Sequence, residues 1–313
     1  MQGAPFADNL RRNLEEALYL LKDYAGDQLP DARLIESLPS LLEQCNALCD
    51  RIPEAEPLRA VHHMACSGGT LISKCLSVMP NVTLLSEIDP LSSLAMWTKD
   101  NGRKFAPTDV IYAARTALRP IDGETTERVF QASVAALYQA LCEKGQRLVL
   151  RDHVHSHFCT QVDFARRPTV REMLTKYHPV LSVLTVRHPL DSYLSLVRNK
   201  WVQFAPFSLD EYARRYQAFL DRHDDVQHFR YEDFVARPDS VLRELCTELA
   251  LPFVAGAEDL YSLVAMSGDS GRKGNRIGTR PRLEVSEEVE EQAERSRAYA
   301  ALCDNLGYIS DTN

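Results

Sequence analysis

The chain has 313 residues, 45% of them hydrophobic and 26% charged, which suits a globular protein of one large domain or two modest ones. Its net charge of −8 argues against a general binder of nucleic acid or anionic membrane, so any anion site must be a local concentration of positive charge. No apolar run approaches the ~18 residues of a membrane span, and the opening MQGAPFADNL lacks a signal-peptide core, so a cytoplasmic protein without a transmembrane segment is expected.

In chain order, Leu10, Leu14, Leu18 and Leu21 give one helical stripe, and Leu34, Ile35, Leu38, Leu41, Leu42 and Cys45 give another, kinked at Pro39. RIPEAEPL (51–58) is a linker. Residues 1–57 therefore read as a helical N-terminal extension packed on a main domain of residues 58–313, one compact unit overall. A strand is expected around Leu58 to Met64. Residues 91–147 read mostly as helix, the clearest case being VFQASVAALYQALCEKG, with Gly145 closing it. RLVLRD (147–152) and PVLSVLTV (179–186) are apolar strands, and Pro189 opens a helix at its first turn. SLDE (208–211) caps the helix EYARRYQAFLDRH, VQHF (226–229) is a weaker strand, and RPDSVLRELCTEL is helical. The acid-rich EVSEEVEEQAE reads as the start of a terminal helix capped by Ser286.

Strands alternate with helices, and each strand run is apolar rather than alternating. The fold class is thus α/β: a central parallel sheet flanked by helices on both faces, which the strand–loop–helix at residues 61–76 makes one of the P-loop nucleotide-binding type. Eight cysteines without a Cys-x-x-Cys pair exclude zinc-ribbon and thioredoxin readings and suit reduced core residues.

The chemistry begins at VHHMACSGGTLISKCL (61–76), an apolar strand that turns through Ser-Gly-Gly-Thr into a helix. Gly68 and Gly69 let the backbone curl so that several N–H groups face one anion, and the helix adds the positive end of its dipole. The loop lacks the lysine of a nucleotide-triphosphate loop, and no Gly-x-Gly-x-x-Gly is present. Three later segments answer it. TVRHPLDSYLSLV sets Arg187 at a strand end and Ser195 eight residues on, spaced to hold one phosphate between them. RYEDF follows another strand. SGDSGRKGNRIGTRPR carries Arg272, Lys273, Arg276, Arg280 and Arg282, a basic loop suited to closing over a phosphate.

Together, from about Arg59 to Arg282, these segments resemble the sulfotransferases that use 3′-phosphoadenosine-5′-phosphosulfate (PAPS). ACSGGTL is similar to the family's 5′-phosphosulfate loop, VRHPLDSYLSLV to its 3′-phosphate motif, YEDF to the strand-end segment near the adenosine, and SGRKGN to its C-terminal Arg-Lys-Gly loop. The resemblance implies that Ser67, Gly68, Gly69, Thr70 and Leu71 bind the 5′-phosphosulfate. It implies that Arg187, Ser195, Arg272, Lys273 and Gly274 bind the 3′-phosphate, and that Tyr231 sits near the adenine. PAPS would be a co-substrate and no metal would take part. Many members carry a Lys or Arg where this chain has Cys66, so the cation must come from elsewhere; Arg151 and Lys74 are candidates, although Lys74 would also fit a solvent-facing position.

Transfer to a hydroxyl or amine needs a base for the acceptor proton. His153, at the end of the strand RLVLRD, is one candidate, since its segment looks like the Lys-Thr-His segment of the family's cytosolic branch. Glu87 is the other, matching the distance of the catalytic glutamate of protein-tyrosine sulfotransferases beyond the loop. His153, His155 and His157 would share a face if the strand continued, as in a His-x-His metal site, but the strand is expected to end at Arg151. His62, His63 and His188 read as structural. Two other classes compete: a P-loop kinase transferring phosphoryl from ATP, with RLVLRD ending in a magnesium-binding aspartate, and a non-catalytic nucleotide-binding protein on the same fold. Trp97, Phe105, Tyr112, Phe158, Trp201, Phe204 and Phe207 fall in the expected pocket walls and point to a partly apolar acceptor.

Overall fold

The computed structural model describes residues 56–94, 106, 108–268 and 276–310, together with 12, 13, 15, 16, 19 and 40. The chain divides into two compact units, Met1–Glu56 and Pro57–Asn313. The leucines of the stripes expected over residues 8–50 lie outside the described residues. The sheet and its helices belong to the second unit. Among the described residues no helix is long and apolar enough to cross a membrane.

Five strands form one sheet: β1 (Leu58–His63), β2 (Val82–Ile88), β3 (Arg147–Asp152), β4 (Val180–Val186) and β5 (Gln227–Arg230). Their order is β2-β3-β1-β4-β5, and every adjacent pair is parallel. Parallel neighbours need crossovers, and here helices supply them on both faces. The central strands read as apolar runs because both their faces are covered: β1 is buried along its whole length, and β3 from Leu148 onward.

The strand β2 departs from the sequence reading, which assigned no element to Val82–Ile88. All seven of its residues are only partly buried, so it carries neither a continuous apolar run nor a clean alternation. It lies at the sheet edge, and its register with β3 slips between Leu85 and Ile88. Glu87 falls in that irregularity with φ 57, a left-handed backbone that a glutamate rarely adopts.

The helices cover the sheet for ordinary reasons. In Gly69–Ser77 the side chains of Leu71, Ile72, Cys75 and Leu76 fall on one face and are buried in a core with Val61, Val149, Val183 and Phe229. Helix Leu209–Asp221 buries Tyr212, Ala213, Tyr216, Phe219 and Leu220 on the opposite side, and its N-cap Ser208 accepts from the Glu211 amide. Helix Pro189–Arg198 begins with its proline in the first turn. Ser286 stands at the N-cap of Glu287–Arg295 but makes no side-chain cap bond. Cys66, Cys75, Cys142, Cys159, Cys246 and Cys303 are thiols and take part in no disulfide.

Candidate active site

Parallel strands end on the same side of the sheet, so their C-terminal ends converge on one crevice. Here β1 runs into the Cys66–Thr70 turn, β2 carries Glu87, β3 ends with Arg151 and Asp152 and is followed by His153, β4 leads to Arg187, and β5 to Tyr231. A cleft of about 760 Å³ lies there. Its walls include Gly68, Gly69, Thr70, Leu71, Glu87, Arg151, His153, Arg187, Ser195 and Tyr231.

The turn is built around absent side chains. Gly68 has φ 88, and a Cβ there would meet the Tyr231 ring at 2.1 Å. A Cβ on Gly69 would lie 2.0 Å from the His63 imidazole. Both glycines are therefore needed for close approach, Gly68 also for its backbone. The amides of Leu71 and Ile72 fold back onto the Gly68 carbonyl, starting the helix. Ser67 points away from the cleft: it is buried, and its Oγ donates to the carbonyls of Met64 at 2.7 Å and Thr185 at 3.3 Å. Its side chain braces the turn against β4, so only its backbone remains to face a ligand. Cys66 adopts φ 64, and burial pushes its thiol up to about 11, leaving no thiolate at this position.

Arg151 brings positive charge to the turn. It is 3% exposed. Its Nε donates to His63 Nε2 at 2.7 Å, Nη1 to Ser86 Oγ at 2.6 Å and to the Ser267 carbonyl at 3.1 Å, and Nη2 to Thr70 Oγ1 at 2.8 Å. Glu87 Oε1 stands 3.7 Å from Nη2. His63 Nδ1 faces the Met64 carbonyl at 3.1 Å, so that nitrogen carries the proton and Nε2 accepts from the guanidinium. Burial and the Arg151 charge hold this imidazole well below its usual pKa, hence neutral. His63 thus does more than fill space: it seats Gly69 and aims Arg151. Sequence reading missed this because the partners are 88 residues apart. Lys74, for which a solvent-facing position was considered, is buried and lines the cleft.

Arg187 bridges two other segments. Its Nη1 donates to the Cys66 carbonyl at 3.2 Å and to Ser195 Oγ at 3.3 Å, and its guanidinium lies 5.1 Å from the Tyr231 ring centroid. Arg272, Lys273 and Gly274 lie outside the described residues. Of the same basic stretch, Arg280 lines the cleft and Arg282 Nε donates to Asp191 Oδ1 at 3.0 Å. On its N-terminal side, the Gly268 carbonyl accepts from Thr70 Oγ1 at 3.3 Å, and a Cβ on Gly268 would meet Glu87 Oε1 at 2.2 Å.

The histidines after β3 separate. His153 stands at the N-cap of the short helix Val154–Phe158 without a side-chain cap bond and lines the cleft; burial lowers its pKa, with Glu87 and Asp89 pulling the other way. His155 meets the Trp201 carbonyl at 2.7 Å. His157 turns toward a different, smaller cavity. The helical turn leaves the His153 and His155 rings edge to face at 5.9 Å beside the cleft and carries His157 away, so the three do not share one face. Among the aromatic candidates, Trp201 lines the cleft, Phe158 and Phe204 are buried in the core, Tyr112 is half-buried, Phe207 is exposed, and Trp97 and Phe105 lie outside the described residues.

A family model described as "Sulfotransferase family" matches residues 61–255. The chain belongs to the sulfotransferase family. Several solved structures are similar to this sulfotransferase. The sulfotransferase domain from the curacin biosynthetic pathway is 16% identical over 81% of this chain and 98% of its own, with a TM-score of 0.48. That of the Synechococcus PCC 7002 olefin synthase is 17% identical over 82% and 97%, with a TM-score of 0.45. A mouse sulfotransferase complexed with PAP is 12% identical over 80% and 89%, with a TM-score of 0.38. No curated protein matches the sequence.

Proposed function

We propose that this sulfotransferase moves the sulfuryl group of PAPS onto a hydroxyl or amine of a partly apolar acceptor. One observation carries the reading: the glycine turn, the Arg187–Ser195 pair and Tyr231 line a single cleft together with Arg151, Glu87 and His153. In this reading PAPS supplies the transferable group and leaves a phosphate oxygen that gathers negative charge. Arg187 and Ser195 hold the 3′-phosphate, joined by the basic loop of Arg272, Lys273 and Gly274. Tyr231 takes the adenine side. The amides of Gly69 and Thr70, at the head of a helix, have no partner within it and serve the 5′ end.

Arg151 stands in for the cation missing at Cys66. Its guanidinium is held at Thr70, next to the turn, and is oriented before any ligand arrives, which is the condition for strong electrostatic stabilisation. His153 is the favoured base. Its imidazole is neutral through burial and lines the cleft, whereas the Glu87 carboxylate is already engaged with Arg151. His153 takes the acceptor proton as the new bond forms, and Glu87 holds Arg151 and the acceptor in line. A kinase reading fares worse, because Asp152, which would have to hold magnesium, sits against the imidazoles of His62 and His223 rather than among oxygen ligands.

Calorimetry with adenosine 3′,5′-bisphosphate tests the reading. Micromolar or tighter affinity is expected, weakened more than tenfold in Arg187→Ala; no affinity, or a preference for magnesium-ATP, sinks it. With an acceptor found by screening on radiolabelled PAPS, His153→Ala should lower turnover roughly 10²- to 10⁴-fold while bisphosphate affinity holds. An unchanged rate would pass the role of base to Glu87.

A further inference from the structure

Below the cleft, on the side of the sheet facing helix Leu209–Asp221, lies a cluster that sulfuryl transfer does not use. His62 of β1 and Asp152 of β3 sit on adjacent strands, and His223 follows the helix. All three are buried, His62 and His223 completely. One ligand atom from each, a ring nitrogen or a carboxylate oxygen, lies within 4.8 Å of the others. The imidazole centroids are 4.6 Å apart at 44°, so the rings are tilted rather than stacked.

The hydrogen bonds around the cluster select which nitrogens are bare. His223 Nδ1 faces the Phe219 carbonyl at 2.8 Å and must donate to it, which leaves a lone pair on Nε2. That Nε2 is buried without a partner, as is Asp152 Oδ1. His62 Nε2 faces Ser182 Oγ at 3.2 Å, and a hydroxyl can receive its proton as readily as give one. Each imidazole therefore has an acceptor on its far nitrogen, the arrangement that fixes metal-bound histidines. Two unfilled acceptors this deep cost free energy unless something electropositive meets them.

We propose that His62 Nδ1, His223 Nε2 and the Asp152 carboxylate form a buried structural site for a four-coordinate transition-metal ion, zinc(II) by ligand chemistry. Two imidazoles and one carboxylate suit zinc, whereas magnesium and calcium ask for oxygen throughout. The same donors serve six-coordinate iron, but that needs three more positions. The adjoining cavity, lined by Asp152, His157, Arg167 and His223, holds only about 10 Å³, room for a single further ligand. His157 Nε2, also buried without a partner, lies in a residue lining that cavity. The nearby arginines do not oppose the charge outright, since Arg167 is paired with Asp89 and Arg171 with Asp225 at 2.7 Å. On binding, the proton that His62 Nδ1 donates to Asp152 Oδ2 passes to Nε2, which then donates to Ser182 Oγ; Nδ1 turns to the metal and the imidazole loses no proton overall. Tetrahedral ligands about 2.0 Å from zinc lie about 3.3 Å apart, so the 2.7 Å contact between His62 and Asp152 opens slightly. The site clamps β1 to β3 just below Arg151 and His153.

Cobalt(II) is the probe, added to the full chain after chelator treatment, alongside elemental analysis of protein expressed with zinc in excess. One equivalent of metal per chain is expected, with the visible bands of four-coordinate cobalt and a melting temperature that rises with metal concentration. His223→Gln should abolish the bands, and Ser182→Ala, which removes the acceptor behind His62, should weaken binding roughly 10- to 100-fold. If His223→Gln does not fold, the wild-type spectrum and metal content still decide. Wild type without stoichiometric metal or bands overturns the proposal, as do bands that persist in both His223→Gln and Asp152→Asn.

Discussion

Two buried arginines on neighbouring strands invite comparison. Arg59 of β1 is 1% exposed and Arg151 of β3 is 3% exposed, and the register pairs Arg59 with Val149 and Val61 with Arg151. Arg59 lies near the start of its strand. It donates to the carbonyls of Leu249 at 2.6 Å, Pro57 at 2.9 Å and Ala250 at 3.2 Å, tying the end of helix Pro238–Glu248 to the sheet. Arg151 lies near the end of its strand and donates to side chains of three other segments, as well as to the Ser267 carbonyl. Carbonyls at a helix end are acceptors with partial negative charge, and they make Arg59 a fastener. The side chains around Arg151 are ones that substitution can change, and they leave the guanidinium at the wall of a cleft. Burial is common to both arginines; the partners and the cleft are what set Arg151 apart.

Substitution can break this contrast. Arg151→Ala should have the largest effect, a loss of roughly 10²- to 10³-fold in turnover in single-turnover assays with labelled PAPS, with a bisphosphate affinity close to wild type. If it instead mainly lowers the melting temperature, Arg151 is a fastener too. Arg59→Ala should show the reverse. It strands carbonyls that cost about 1–3 kcal/mol each when buried unpaired, so urea denaturation should show about 3 kcal/mol of lost stability, and the folded fraction should bind bisphosphate normally. The smallest effect is expected for His63→Gln, which can still accept from Arg151 Nε but packs less firmly beneath Gly69. About tenfold in turnover, near 1.4 kcal/mol, with little change in stability, would mark His63 as a positioning residue; unaltered turnover would show that Arg151 needs no such guide.

Some of this was legible in sequence and some was not. β3 and β4 announce themselves because strands covered on both faces favour apolar runs, whereas β1, equally covered, interrupts its run with Arg59, His62 and His63. β2 does not, since an edge strand with an irregular register has no period to detect. The same irregularity gives Glu87 its unusual backbone, so the residue was visible as a candidate before its element was. Arg187 and Ser195 are readable because Ser195 sits on a helix that begins two residues after Arg187, which keeps their separation short. The partnership of Arg151 with His63 and Thr70 depends on strands meeting across the sheet, and the inward turn of Ser67 depends on β4 passing behind the loop. Residue types alone carry neither fact.

Placing so many cleft-lining side chains directly at strand termini has a cost in tolerance to length changes. One residue inserted into β4 would slide its end by about 3.3 Å and reverse which face each side chain meets. Arg187, and the Ser195 that follows it, would then part from Cys66 and Tyr231, although no amino acid in the cleft had been replaced. Insertions between the elements would leave that alignment standing, so changes of length have room to accumulate in the connecting segments while the lengths of the strands stay fixed.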